Sequence, residues 1–117
     1  KINMTKTTGY EIAIERIKKN LSNYDSGLDL RNLGLFSLPP TIIKLTHIKS
    51  LNISDNKIQD ISISFLQNLK ELQFLNLVGN QIQDISFLKN LKKIKKLYLN
   101  ENQIQDTSPL NELNQLQ

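Results

Sequence analysis

Apolar and polar positions in this chain keep to one recurring frame. It reads Ile48-Lys-Ser-Leu51-Asn-Ile53-Ser-Asp-Asn56-Lys-Ile58, then Leu72-Gln-Phe-Leu75-Asn-Leu77-Val-Gly-Asn80-Gln-Ile82, then Ile94-Lys-Lys-Leu97-Tyr-Leu99-Asn-Glu-Asn102-Gln-Ile104. Leu and Ile at alternate places project to one side of an extended segment, so each copy predicts a short strand with one buried face. The expected strands lie near 28–31, 51–54, 75–78 and 97–100. Asn56, Asn80 and Asn102 follow the strands at a fixed register, where a side-chain amide can bond backbone groups left unpaired by a tight turn. Leu51 and Leu75 are 24 residues apart, and Leu75 and Leu97 are 22 apart. A looser copy, Leu28-Asp-Leu30-Arg-Asn-Leu33-Gly-Leu35, begins 23 residues before Leu51 and has Leu33 in the Asn place. A terminal copy is expected to depart from the frame because one of its sides faces a cap.

The returning halves predict a second layer. In the first copy Pro39 and Pro40 oppose regular helix and favour an extended segment. In later copies Ser86 and Ser108 stand as N-caps of short helical turns, with Pro109 in the tolerated first position. Leu66, Leu69 and Leu72, then Leu88, Leu91 and Ile94, then Leu110, Leu113 and Leu116 recur at three-residue spacing, which suits 3₁₀ or a brief α turn. The longer copy carries its extra pair in Ile61-Ser-Ile63-Ser, placed on the outer side. Ahead of the repeats, residues 1–7 are polar and aperiodic and are expected to form a flexible tail. Thr8-Gly-Tyr-Glu11 fits a capping box and opens a helix over 8–24. Tyr10, Ile14, Ile17 and Leu21 share one face of that helix, and the expected role of this stripe is to seal the open end of the array.

These motifs identify a resemblance. The strand-and-turn frame followed by N-x-I-x-D-I-S, as in Asn56-Lys-Ile58-Gln-Asp60-Ile61 and Asn80-Gln-Ile82-Gln-Asp84-Ile85, resembles the short-repeat, internalin-like class of leucine-rich repeat proteins. Leu28 through Leu38-Pro39-Pro40 resembles the opening repeat of bacterial leucine-rich proteins whose turns end in L-P. The likeness covers about residues 28–117 and departs from the family at Leu33, at Thr107 and in lacking a secretion leader. It implies an α/β fold: a right-handed leucine-rich repeat solenoid, with a curved parallel sheet on the concave side and short 3₁₀ or α turns on the convex side. About four repeats fill residues 25–117, the last of them incomplete, behind the N-terminal helical cap. Such families are binding scaffolds, which implies an interaction role without naming a ligand.

Composition changes this picture little. The 117 residues allow one domain, and the absence of cysteine removes disulfides and thiolate metal sites. No apolar run approaches a membrane span, and with no leader visible a cytoplasmic setting is favoured over a secreted one. A net charge of +4 is mild for a nucleic-acid binder, and nucleic acid is disfavoured as a partner. No catalytic constellation, cofactor motif or metal site is found. The single His47 lacks a companion ligand, and Asp60, Asp84 and Asp106 stack in register as turn caps in preference to a cation site.

Function therefore rests on the concave face. Strand alternation places Gly27, Asp29 and Arg31, then Ser50, Asn52 and Ser54, then Phe74, Asn76 and Val78, then Lys96, Tyr98 and Asn100 on it. Aromatic residues among hydrogen-bonding groups are the composition of a partner-binding centre. The expected site is Phe74, Asn76, Val78, Lys96, Tyr98, Asn100 and Asn52, engaged by a protein partner, with the chain a monomer and not an enzyme. The competing surface is the run Lys89, Lys92, Lys93, Lys95 and Lys96, which has no acid within it and would attract acidic proteins or phosphate polymers. A third alternative makes the chain a regulatory segment of a larger signalling or effector protein.

Overall fold

A reciprocal capping box opens the fold. In the computed structural model, which describes residues 7–59 and 61–117, Thr8 is the N-cap of α1 (Gly9–Asn23). The Glu11 N–H donates to the Thr8 hydroxyl at 3.1 Å, and the Thr8 N–H donates to the Glu11 carboxylate at 3.0 Å. Two of the helix's otherwise unpaired donors are thereby satisfied. Residues 1–6 of the expected tail lie outside the described residues, as does Asp60. The helix closes at Tyr24, which takes a left-handed conformation and donates its N–H to the Asn20 carbonyl at 2.7 Å.

The face that α1 buries differs from the expected stripe. Ala13, Ile17 and Asn20 are buried, whereas Tyr10, Ile14 and Leu21 are each about two-fifths exposed. Asn20 explains the rotation. Its side-chain amide donates to the Asp25 and Gly27 carbonyls at 3.2 and 2.9 Å, and its oxygen meets His47 Nε2 at 2.8 Å. Turning the helix toward Leu21 would strand those groups beside the first coil. Gly9 sets the approach, since a Cβ there would fall 1.6 Å from the Leu33 carbonyl oxygen.

Behind the cap, β1 (Gly27–Asp29), β2 (Ser50–Asn52), β3 (Phe74–Asn76) and β4 (Lys96–Tyr98) pair in chain order as one parallel sheet. Leu28, Leu51, Leu75 and Leu97 occupy a single register across it. Each strand begins one residue earlier than expected and spans three residues. The early start reflects bonding ahead of the apolar anchor: Lys49 and Ser50 both donate to the Ser26 carbonyl, and Gln73 and Phe74 both donate to the Lys49 carbonyl. The early end comes from local turns, in which side-chain oxygens of Asp29, Asn52 and Asn76 accept from the N–H two residues on.

The convex layer is 3₁₀ throughout, over Pro40–Lys44, Ile61–Asn68, Ser86–Asn90 and Ser108–Glu112. Pro40 opens the first of these turns, so the expected extended segment stops at Pro39. A proline in the first turn sacrifices no hydrogen bond, because that N–H has no intrahelical acceptor. Ser86 and Ser108 lie inside their turns and do not cap them by side chain. Asp84 and Asp106 supply that bond, accepting from the Ser86 and Ser108 N–H at 2.8 and 2.9 Å. The extra pair swells the second turn to eight residues and pushes Ile61 out to 80% exposure, while Ile63 enters the core.

Candidate partner-binding face

The sheet presents two rows of side chains away from the core. Gly27, Ser50, Phe74 and Lys96 form one row, and Asp29, Asn52, Asn76 and Tyr98 form the other. Phe74 and Tyr98 belong to neighbouring strands and different rows, so they meet diagonally, with ring centroids 5.5 Å apart and planes tilted by 53°. That is within the range of favourable edge-to-face aromatic pairs. Tyr98 is 41% exposed, and Phe74, Asn76 and Val78 are half-buried. Lys96 and Asn100 are exposed on the last strand and its turn. Asn52 and Asn76 spend their side-chain oxygens on local backbone N–H groups. Their NH₂ groups, with no acceptor assigned among the described residues, remain available as donors.

A second file of asparagines runs inside the turns. The Asn56 oxygen accepts from Leu33 and Leu35 N–H at 3.0 Å each, and its NH₂ donates to Leu30 and Ile53 carbonyls. The Asn80 oxygen accepts from Ile58 N–H, and its NH₂ donates to Ile53 and Leu77. Asn102 repeats the pattern with Ile82 N–H and the Leu77 and Leu99 carbonyls. Each oxygen thus reaches back to the preceding coil. The residue ahead of each frame position has positive φ: Asn32 at 54°, Asp55 at 56°, Gly79 at 72° and Glu101 at 60°. This left-handed file was invisible to hydrophobic patterning, although Asn, Asp and Gly are the residue types that tolerate it.

Charge is distributed more evenly than the lysine run implied. Lys93 pairs with Glu71 at 2.9 Å and Lys92 with Glu112 at 3.2 Å, so acids from adjoining coils answer two of its five lysines. His47, in contact with Asn20, also stacks on Tyr24 with centroids 3.8 Å apart, which makes it part of the joint between cap and first coil. Bonds from Ser86 and Ser108 N–H hold the Asp84 and Asp106 carboxyls below their ordinary range, and Glu11 is lowered likewise by Thr8. These are turn and helix caps. Among the described residues no group of three His, Cys, Asp or Glu side chains is placed to hold a metal ion. The sheet face carries hydrogen-bond donors and aromatic rings.

The geometry is that of a capped strand-and-turn solenoid, a class of repeat protein built from stacked coils. The chain belongs to the leucine-rich repeat family: the model for Leucine Rich repeats (2 copies) matches residues 46–90 and again 70–112, together more than half of the chain. Its repeats are internalin-like. The structure is similar to an internalin (inlF) from Listeria monocytogenes, with TM-score 0.77 and 34% identity, covering 90% of this chain and 34% of that one. Internalin C2 (inlC2) from the same organism gives 0.64 and 35%, covering 68% and 34%. Acidic leucine-rich nuclear phosphoprotein 32 family member A of Drosophila melanogaster is 41% identical over 58 residues, which is 50% of this chain and 22% of that protein. The chain therefore spans about a third of those internalins and about a fifth of that phosphoprotein. No helix among the described residues is long and apolar enough to cross a membrane.

Proposed function

We propose that this chain is a non-enzymatic protein-interaction scaffold, and that its partner docks on the concave strip centred on Phe74, Asn76 and Tyr98. Leucine-rich repeat proteins generally act as interaction modules. The observation that carries the finer reading is the pairing of half-buried Phe74 with exposed Tyr98, their centroids 5.5 Å apart on the outward face of the sheet. Rings held against each other lose little freedom on binding, and aromatic anchors near the middle of an interface commonly cost about 2 kcal/mol or more when truncated. Val78 and Lys96 flank the pair, and Asn52 and Asn100 extend the strip at either end.

The test begins by recovering the partner from native lysate on the immobilised chain. Phe74→Ala/Tyr98→Ala is then compared with Lys92→Ala/Lys93→Ala. The aromatic double variant is expected to lose retention while keeping the wild-type circular dichroism spectrum and melting temperature. Loss in the lysine variant alone would move the site to the convex side and make the partner a polyanion. The Glu71 and Glu112 ion pairs already draw on that convex charge.

A further inference from the structure

The concave strip is bordered by unlike charges. Lys49 and Lys95 stand immediately before β2 and β4, and Lys96 opens β4, so positive charge gathers where the strands begin. Asp55 and Glu101 stand in the left-handed turns where the same coils leave the sheet. All five are exposed, and none takes part in an ion pair among the described residues. Phe74 and Tyr98 lie between the two borders. Along a coil, Lys49 and Asp55 are separated by six residues, which at about 3.3 Å per residue is roughly 20 Å of chain.

We propose that this face is a receptor for one amphipathic helix of a partner protein, laid across the strands with its acidic flank on the lysine border and its basic flank on the carboxylate border. This rests on the concave-docking reading above and specifies the partner's chemistry. The dimensions agree. Four strands about 4.8 Å apart span roughly 15 Å, the length of about ten helical residues, and a helix with side chains is about 10–12 Å across. Its apolar ridge, repeating every three and four residues, would meet the aromatic pair. The Asn52 and Asn76 amides lie beneath that ridge. A polyanion would satisfy one border and be repelled by the other, so unlike borders favour a partner carrying both signs.

The probes are three stapled, fluorescein-labelled helical peptides with the same leucine–tryptophan ridge. One has glutamates on one flank and lysines on the other, one is acidic on both flanks, and one is basic on both. Fluorescence anisotropy is read against the whole chain. The two-signed peptide is expected to bind about ten-fold more tightly than either single-signed one, with a shallow salt dependence. Lys49→Glu/Lys95→Glu/Lys96→Glu makes both borders acidic and should cost that peptide about ten-fold while favouring the all-basic one. Adding Asp55→Lys and Glu101→Lys inverts both borders, and the two-signed peptide should regain its affinity by binding in the opposite direction. All substitutions are at exposed positions, and circular dichroism reports whether the fold survives. Equal binding of all three peptides, preference for the all-acidic one, or no binding of the two-signed one below about 1 mM overturns the proposal. If the two-signed peptide binds Phe74→Ala/Tyr98→Ala undiminished, the concave-docking reading fails with it. If the unsubstituted chain binds all three peptides equally and that variant loses them alike, the charge assignment fails while the concave-docking reading stands.

Discussion

Asn80 shows how one side chain holds two coils. It is buried, and replacing it with leucine would leave Ile58 N–H without its side-chain partner and remove one of the two amides, those of Asn56 and Asn80, that donate to the Ile53 carbonyl. A buried backbone group left unpaired costs about 1–3 kcal/mol, so Asn80→Leu should lower the urea midpoint by a matching amount. Asn102 is half-buried, and water can partly replace its bonds, so Asn102→Leu should cost less. The capping carboxylates make a pH prediction. Asp84 and Asp106 are held below their ordinary 3.8, and Glu11 below its ordinary 4.5. A carboxyl lowered by folding contributes stability that is complete above its unfolded value and is lost as pH falls through its folded one. The melting temperature should therefore hold above about pH 5 and decline below it, and Asp84→Ala/Asp106→Ala should flatten that decline.

Among the elements, α1 is the one whose removal should matter most. Deleting residues 1–24 uncovers Leu28, Leu30 and Leu35, which are buried in the intact chain. Light scattering should then detect aggregation, or thermal unfolding should lose its cooperativity; a monomer with an unchanged melting curve would show that the helix seals nothing. The strands were legible because Leu51/Ile53, Leu75/Leu77 and Leu97/Leu99 alternate strictly, and the capping box because Thr8 and Glu11 bond within one helical turn. The buried side of α1 was not legible from apolar spacing. Ala13 and Asn20 pack there, one through small size and the other through carbonyls contributed by a later loop. The same limit applies to the surface. Alternation brought Phe74 and Tyr98 to one face, but the partners of Lys92 and Lys93 lie about one repeat away in sequence, and only stacking of coils brings them near.

Taken whole, the molecule is an array in which each coil touches chiefly its neighbours, so stability varies along the axis. Leu75, Leu77 and Ile82 of the third coil are buried, whereas Leu97, Leu99 and Ile104 of the fourth are only partly so. Amide hydrogen exchange should accordingly be faster across β4 than across β2, with the slowest amides near Leu51 and Ile53. Uniform protection would contradict this gradient. The backward reach of the asparagines has a consequence for synthesis. Leu33 and Leu35 N–H wait for Asn56, Ile58 N–H waits for Asn80, and Ile82 N–H waits for Asn102. A chain leaving the ribosome from its N-terminus can place its cap early, but each of the first three coils lacks its asparagine contact until some twenty further residues have been translated. Folding is thus paced by the successor, and the growing array always carries its loosest coil at the end nearest the exit tunnel.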